Sequence, residues 1–153
     1  MIVTWHVDDL KVSHKDDHEI TKFLLFLGKL YGDRITVNRG VVHDYLGMDL
    51  NFSTPGKLRV SMIKYLAKIF KAFPEKIRTA AATPAADHLF EVRDENERKL
   101  LPEEQARAFH HSVAKLLFLC GRARPDIKTA VAFLTTRVKA PDEDDWGKVK
   151  RVL

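Results

Sequence analysis

The residues with the clearest chemical potential are the adjacent acids Asp8 and Asp9, set between two β-rich runs, Ile2-Val3-Thr4-Trp5-His6-Val7 and Leu10-Lys11-Val12-Ser13. Such runs flanking a pair of acids predict a hairpin with carboxylates at its tip. Along a straight strand neighbouring side chains point to opposite faces, so only a tight turn lets two consecutive aspartates address one spot. That spot suits a hard cation. Mg²⁺ takes carboxylate oxygen, keeps several waters, and is commonly held by one or two protein acids together with substrate phosphates. The plainer alternative is two ordinary turn residues, since Asp favours turns through local hydrogen bonds.

Other candidate ligands are weaker. His14, Asp17 and His18 cluster at a solvated helix start, where a metal-binding role has little support. His110 and His111 are adjacent on a helix, so they diverge by roughly 100° and read as structural. Lys64, Lys68 and Lys71 recur at one-turn intervals opposite an apolar stripe. Ammonium groups so placed can track phosphates and release counterions, although a solvated helix face would look the same.

The rest of the chain must position these groups. Its 153 residues can bury one core of ordinary size or form part of a larger domain. A hydrophobic fraction of 45% and a charged fraction of 31% describe a globular chain, and 26 Lys plus Arg against 21 Asp plus Glu permit a polyanionic partner. Cys120 is the only cysteine, which excludes a disulfide framework and a thiolate metal site and indicates a reducing compartment. No apolar run reaches the length of a bilayer span, and no signal-peptide pattern opens the chain. The expectation is an intracellular, cytoplasmic protein without a membrane partner.

After the hairpin, Asp16 with Glu19 reads as a capping box opening a helix whose stripe of Ile20, Phe23, Leu24, Leu27, Leu30 and Tyr31 should pack on the hairpin's sheet, with Gly32 at its end. Arg34 to Asn38 reads as a short strand and Val41 to Phe52 as a longer one. A turn at Ser53-Thr54-Pro55-Gly56 then returns the chain as Lys57 to Ser61. Met62 to Phe73 is an amphipathic helix. From Pro74 to Leu101 the pattern weakens into a linker or a loop laid over the surface, expected to be highly mobile. Pro102 with Glu103 and Glu104 opens a helix that lasts to Gly121. Pro125 ends that helical run, and Asp126 is placed to cap a second, antiparallel helix. Trp146 to Leu153 is again helix-like, so that strand-like and helix-like residues at the two ends suggest a fragment.

Several of these stretches resemble the reverse transcriptases of copia-type long-terminal-repeat retrotransposons. His6-Val7-Asp8-Asp9-Leu10 looks like the family's Tyr-Val-Asp-Asp-Leu, with His6 where the family has a tyrosine near the primer end. Asp44-Tyr45-Leu46-Gly47-Met48-Asp49 resembles the Phe-Leu-Gly-Met-Glu of the primer-grip hairpin. Arg124-Pro125-Asp126-Ile127, Ala130-Val131, Pro141, Trp146 and Lys150-Arg151-Val152-Leu153 follow a further series of the family in order, with Asp145 in place of its histidine before the tryptophan.

The resemblance implies an α+β fold: a partial palm of antiparallel hairpins plus a helix over residues 1–61, a thumb helix and linker over 62–101, and a helical connection segment over 102–153. It implies Asp8 and Asp9 as catalytic metal ligands for Mg²⁺ or Mn²⁺. His6, Leu46, Gly47, Met48, Lys64, Lys68 and Lys71 become nucleic-acid contacts, and the partner an RNA template with a DNA primer. Polymerases of this kind add nucleotides with two ions about 4 Å apart, held also by an aspartate on an earlier strand. That strand and the nucleotide-covering fingers would precede Met1, so the chain by itself is expected to be inactive. Nucleotide would be a substrate only if the missing part were supplied. A non-catalytic nucleic-acid-binding remnant is the alternative. A full element would place it in a virus-like particle.

Overall fold

The structure is a computed structural model describing residues 1–77 and 80–153. It is α+β, with a two-stranded and a three-stranded antiparallel sheet and five α-helices among the described residues. These fall into two compact units, Met1–Ser61 and Met62–Leu153. Residues 62–101 and 102–153 lie together in the second.

The first unit opens with β1 (Ile2–His6) and β2 (Asp9–Ser13), paired so that Trp5 faces Leu10 and His6 faces Asp9. Helix α1 (Asp17–Tyr31) follows. Its N-cap Asp16 accepts from the His18 backbone N–H at 2.9 Å, but Glu19 pairs with Lys22 at 2.7 Å instead of reaching back, so the expected capping box is half made. Gly32 closes the helix at φ 57, a region that glycine enters without a Cβ penalty.

Residues Arg34 to Asn38 form no strand. A short 3₁₀ turn over Gly32–Arg34 leads instead into irregular chain, where Arg39 donates to Thr21 Oγ1 at 3.0 Å and pairs with Asp17, tying this segment back to α1. The longer strand expected from Val41 to Phe52 is itself a hairpin, β3 (Val42–Tyr45) and β4 (Met48–Asn51), because Leu46 and Gly47 both take positive φ. β5 (Arg59–Ser61) completes the sheet in the order β3-β4-β5.

Burial separates the units. In the first, Leu50, 5% exposed, is the only buried apolar side chain, and no residue of α1 is buried. The apolar stripe of α1 thus has no closed core beneath it, contrary to the expected packing on the hairpin's sheet. Trp5 and Val7 are 75% and 78% exposed.

The second unit holds a continuous core. It is built from α2 (Ile63–Ala72), α3 (Glu103–Cys120), α4 (Lys128–Arg137) and α5 (Glu143–Val152). Ile69, Phe109, Val113, Leu116, Leu119, Ile127, Val131, Leu134 and Val149 are nearly inaccessible, and Cys120 is buried among them. Residues 74–77 and 80–101 are laid over these helices. Trp146 donates to Glu75 Oε1 at 2.6 Å, Lys148 donates to the Glu91 carbonyl at 2.6 Å, Arg93 grips Asp144 through two hydrogen bonds, and Leu89 is buried. The alanine-rich stretch begins at Thr79, which with Arg78 lies outside the described residues.

Two local expectations change. Asp126 caps no helix; it takes the Arg124 guanidinium across Pro125 at 2.7 to 3.1 Å, which lowers its pKa, and the N-cap of α4 is Ile127. The start of α5 is a full capping box between Asp142 and Asp145. Asp145, 1% exposed, also accepts from Arg137 Nε at 3.1 Å, and Arg137 reaches Asp142 at 3.4 Å.

Deleting the Asp145 carboxylate leaves a cap N–H without its acceptor and Arg137 with one partner fewer, so Asp145→Ala should cost about 2 kcal/mol in denaturant unfolding. Burial raises the Asp145 pKa above its ordinary 3.8; the hydrogen bond from the Asp142 backbone N–H opposes the rise, the Asp142 charge adds to it, and Arg137 opposes it. A folded pKa above the unfolded one gives stability that is present at low pH and lost as pH climbs through the folded value. Stability measured against pH should therefore shift in favour of Asp145→Asn relative to the natural chain as pH rises. Residues 62–153 expressed alone should melt cooperatively and residues 1–61 alone should not, as followed by circular dichroism.

Candidate nucleic-acid interface

Asp8 and Asp9 reach the tip of the first ribbon by a two-residue turn at Val7-Asp8. Val7 has φ 53 whereas Asp8 does not enter positive φ, the pattern of a type II′ turn, which normally places glycine first. A β-branched residue in that region is strained by about 1–3 kcal/mol. Nothing in Val7's packing offsets this, because its side chain lies open to solvent. The Trp5 indole N–H donates to the Val7 carbonyl at 2.5 Å and braces the turn from one side.

Both aspartates are exposed, and their carboxylates make no hydrogen bond or ion pair among the described residues. His6 pairs with Asp9 across the ribbon, so these two share a face, while Asp8 leaves from the turn. No three His, Cys, Asp or Glu side chains among the described residues gather closely enough to hold a metal ion. Two open carboxylates fit one hard cation that draws its other ligands from water and phosphate; they do not by themselves fit a two-ion centre.

Leu46 and Gly47, φ 53 and 74, form the turn of the second hairpin, with Gly47 exposed and Leu46 and Met48 half-buried. Two successive positive φ values make this a type I′ turn, not the bulge that a lone strand glycine suggests. Lys11 on β2 lies 5.6 Å over the Phe52 ring just past β4, a cation–π contact joining the two sheets of this unit. The structure thus places Asp8 and Asp9 on one hairpin and Leu46 to Met48 on another within one unit. Lys64, Lys68 and Lys71 lie exposed on α2 in the other.

One group on the second unit was missed from the sequence. Tyr65 on α2 sits 5.1 Å from the Phe118 ring of α3 and donates to the Lys115 carbonyl at 3.5 Å. The Arg122 guanidinium lies 3.6 Å above Phe118. Burial raises the Tyr65 pKa and Arg122 opposes the rise. The available signal was negative: residues 50–74 and 105–125 contain no Asp or Glu, yet carry Lys57, Arg59, Lys64, Lys68, Lys71, Arg107, Lys115, Arg122 and Arg124.

No helix among the described residues is long and apolar enough to cross a membrane. No family model and no solved structure matches the chain. Among curated proteins it is 27% identical over 161 aligned residues to the Retrovirus-related Pol polyprotein from transposon TNT 1-94 of Nicotiana tabacum, covering 100% of this chain and 12% of that protein. It is 26% identical over 150 residues to a putative transposon Ty5-1 protein of Saccharomyces cerevisiae, covering 97% of this chain and 46% of that protein. The chain therefore spans less than half the length of either relative. Similarity running along almost the whole chain supports a retrotransposon-derived polyprotein region.

Proposed function

We propose that this chain is the palm and thumb part of a copia-type RNA-directed DNA polymerase, which binds an RNA template paired with a DNA primer. The observation that carries the reading is the exposed, unpaired Asp8 and Asp9 at the tip of a strained hairpin, within a chain similar to transposon polyproteins. Strain held at an exposed turn points to function more than to stability. Asp8 and Asp9 would hold Mg²⁺ or Mn²⁺, which when bound supplies positive charge to the phosphates and activates the primer hydroxyl. His6, on the Asp9 face, stands beside the primer end. The tight Leu46-Gly47 turn and Met48 offer backbone to a closely approaching strand, and Lys64, Lys68 and Lys71 contact phosphates.

Two carboxylates alone leave a two-ion centre short of a ligand, and no third acid gathers with them among the described residues. The same observation favours the second reading, a non-catalytic nucleic-acid-binding module on this scaffold.

The readings separate in one pair of assays. Primer extension on an RNA template with Mg²⁺ or Mn²⁺ should give no product from the chain alone; product that disappears in Asp8→Asn would establish a complete centre. Binding to a labelled RNA–DNA duplex should weaken with salt, and Lys68→Gln with Lys71→Gln should lower the logarithmic salt slope by about 2 while Asp8→Asn leaves it unchanged. Salt-independent binding, or none, would overturn both readings.

A further inference from the structure

We infer that Arg122, laid flat on Phe118, is a stacking platform for an unpaired base, so that the α2–α3 face holds a single-stranded extension of the template beside the duplex. The inference rests on the nucleic-acid reading above and adds to it a second helix and a second kind of contact.

Four observations lead there. His111, Lys115 and Phe118 follow one another on α3 at spacings of four and three, which places them on one stripe, and Arg122, in the turn just past the helix, lies over its Phe118 end. Tyr65 joins this stripe to α2 through its ring contact with Phe118 and its hydroxyl on the Lys115 carbonyl. The residues so gathered are basic, since neither α2 nor the chain from residue 105 to 125 contains an acid. Among the described residues Arg122 has no carboxylate partner; its Nη1 donates to the Phe118 carbonyl at 3.3 Å, and the residue is exposed.

The geometry selects the ligand. A lysine suffices to meet a phosphate, because an ammonium is a point charge. A guanidinium 3.6 Å from an aromatic ring is a plane already stacked on one side, and its outer side presents the same flat surface to solvent. The stack and the hydrogen bond to Phe118 have removed most of the side chain's freedom, so little more is lost when a second plane settles on it. Unstacked bases are held in this way on guanidinium and aromatic planes, with lysines following the backbone on either side. Lys115 and His111 along the stripe, and Lys68 on α2, are placed for that second task. An acidic protein would match the charge but would gain nothing from the stacked plane.

The full chain is tested for binding to a blunt RNA–DNA duplex and to the same duplex with a single-stranded template overhang, at several salt concentrations. The natural chain should bind the overhang form about five-fold or more tightly. Arg122→Lys, which keeps the charge and loses the plane, should erase that preference with the salt slope unchanged. Arg122→Gln should erase it and lower the slope by about 1. Arg122 is exposed, and its substitution should leave the melting curve unchanged. If both variants keep the preference while the Lys68→Gln, Lys71→Gln variant binds more weakly, the platform is wrong and the nucleic-acid reading survives. If no form of the chain binds either duplex, both fail. Competition by poly-glutamate equal to that by single-stranded RNA would also overturn the platform, leaving a general polyanion surface.

Discussion

The second unit depends on how α5 is held. Trp146 stacks on Phe73 with centroids 5.0 Å apart and planes 19° from parallel, and its indole N–H is satisfied by Glu75, which also takes Lys150 at 3.0 Å. One residue earlier Asp145 closes the capping box and meets Arg137 of α4. A large apolar ring is thus buried with its polar atom bonded, and a buried carboxylate has its acceptors used, which is the condition for either to stabilise a core. Because Glu75 lies just past α2, the same interaction brings the end of α2, the crossing segment and α5 together, and so keeps the basic faces of α2 and α3 on a firm support.

The first unit lacks any comparable constraint. It has backbone pairing in two hairpins, one helix tied by Arg39, and a cation–π contact from Lys11 to Phe52, but almost no buried apolar side chain. Backbone hydrogen bonds contribute little net stability when water can replace them. Strands that carry Ile2, Val3 and Trp5 in the open are physically incomplete, because isolated two-stranded ribbons are marginal in water. The candidate acids therefore sit on the less supported half of the chain, and the candidate phosphate contacts on the better supported half.

Much of this was legible from residue types. Alternating β-formers around Asp8-Asp9 announced the first hairpin, the 3.6-residue period announced α1, α2 and α3, and Ser53-Thr54-Pro55-Gly56 announced the return to β5. What failed was decided by contacts or by unusual backbone. The turn inside Val41 to Phe52 was hidden because Leu46 occupies a conformation that its type disfavours. Asp126 looked like a helix cap, but the guanidinium two residues away is the better partner for a carboxylate. The stretch from Pro74 to Leu101 carries no period of its own, so its lie across the helices could not be foreseen; that comes from Glu75, Leu89, Glu91 and Arg93 meeting residues of other segments.

The sequence by itself determined the first hairpin with two acids at its tip, the order of the helices and the acid-free basic stretches, since each follows from spacing along the chain. Tertiary structure alone decided that Asp145 is buried beside Arg137, that Tyr65, Phe118 and Arg122 form one cluster, and that the hydrophobic stripe of α1 is only half covered. The reason is the same in each case. Periodicity tells which face of an element is apolar or charged, but the energy of that face depends on what lies opposite, and that is fixed only when distant segments meet.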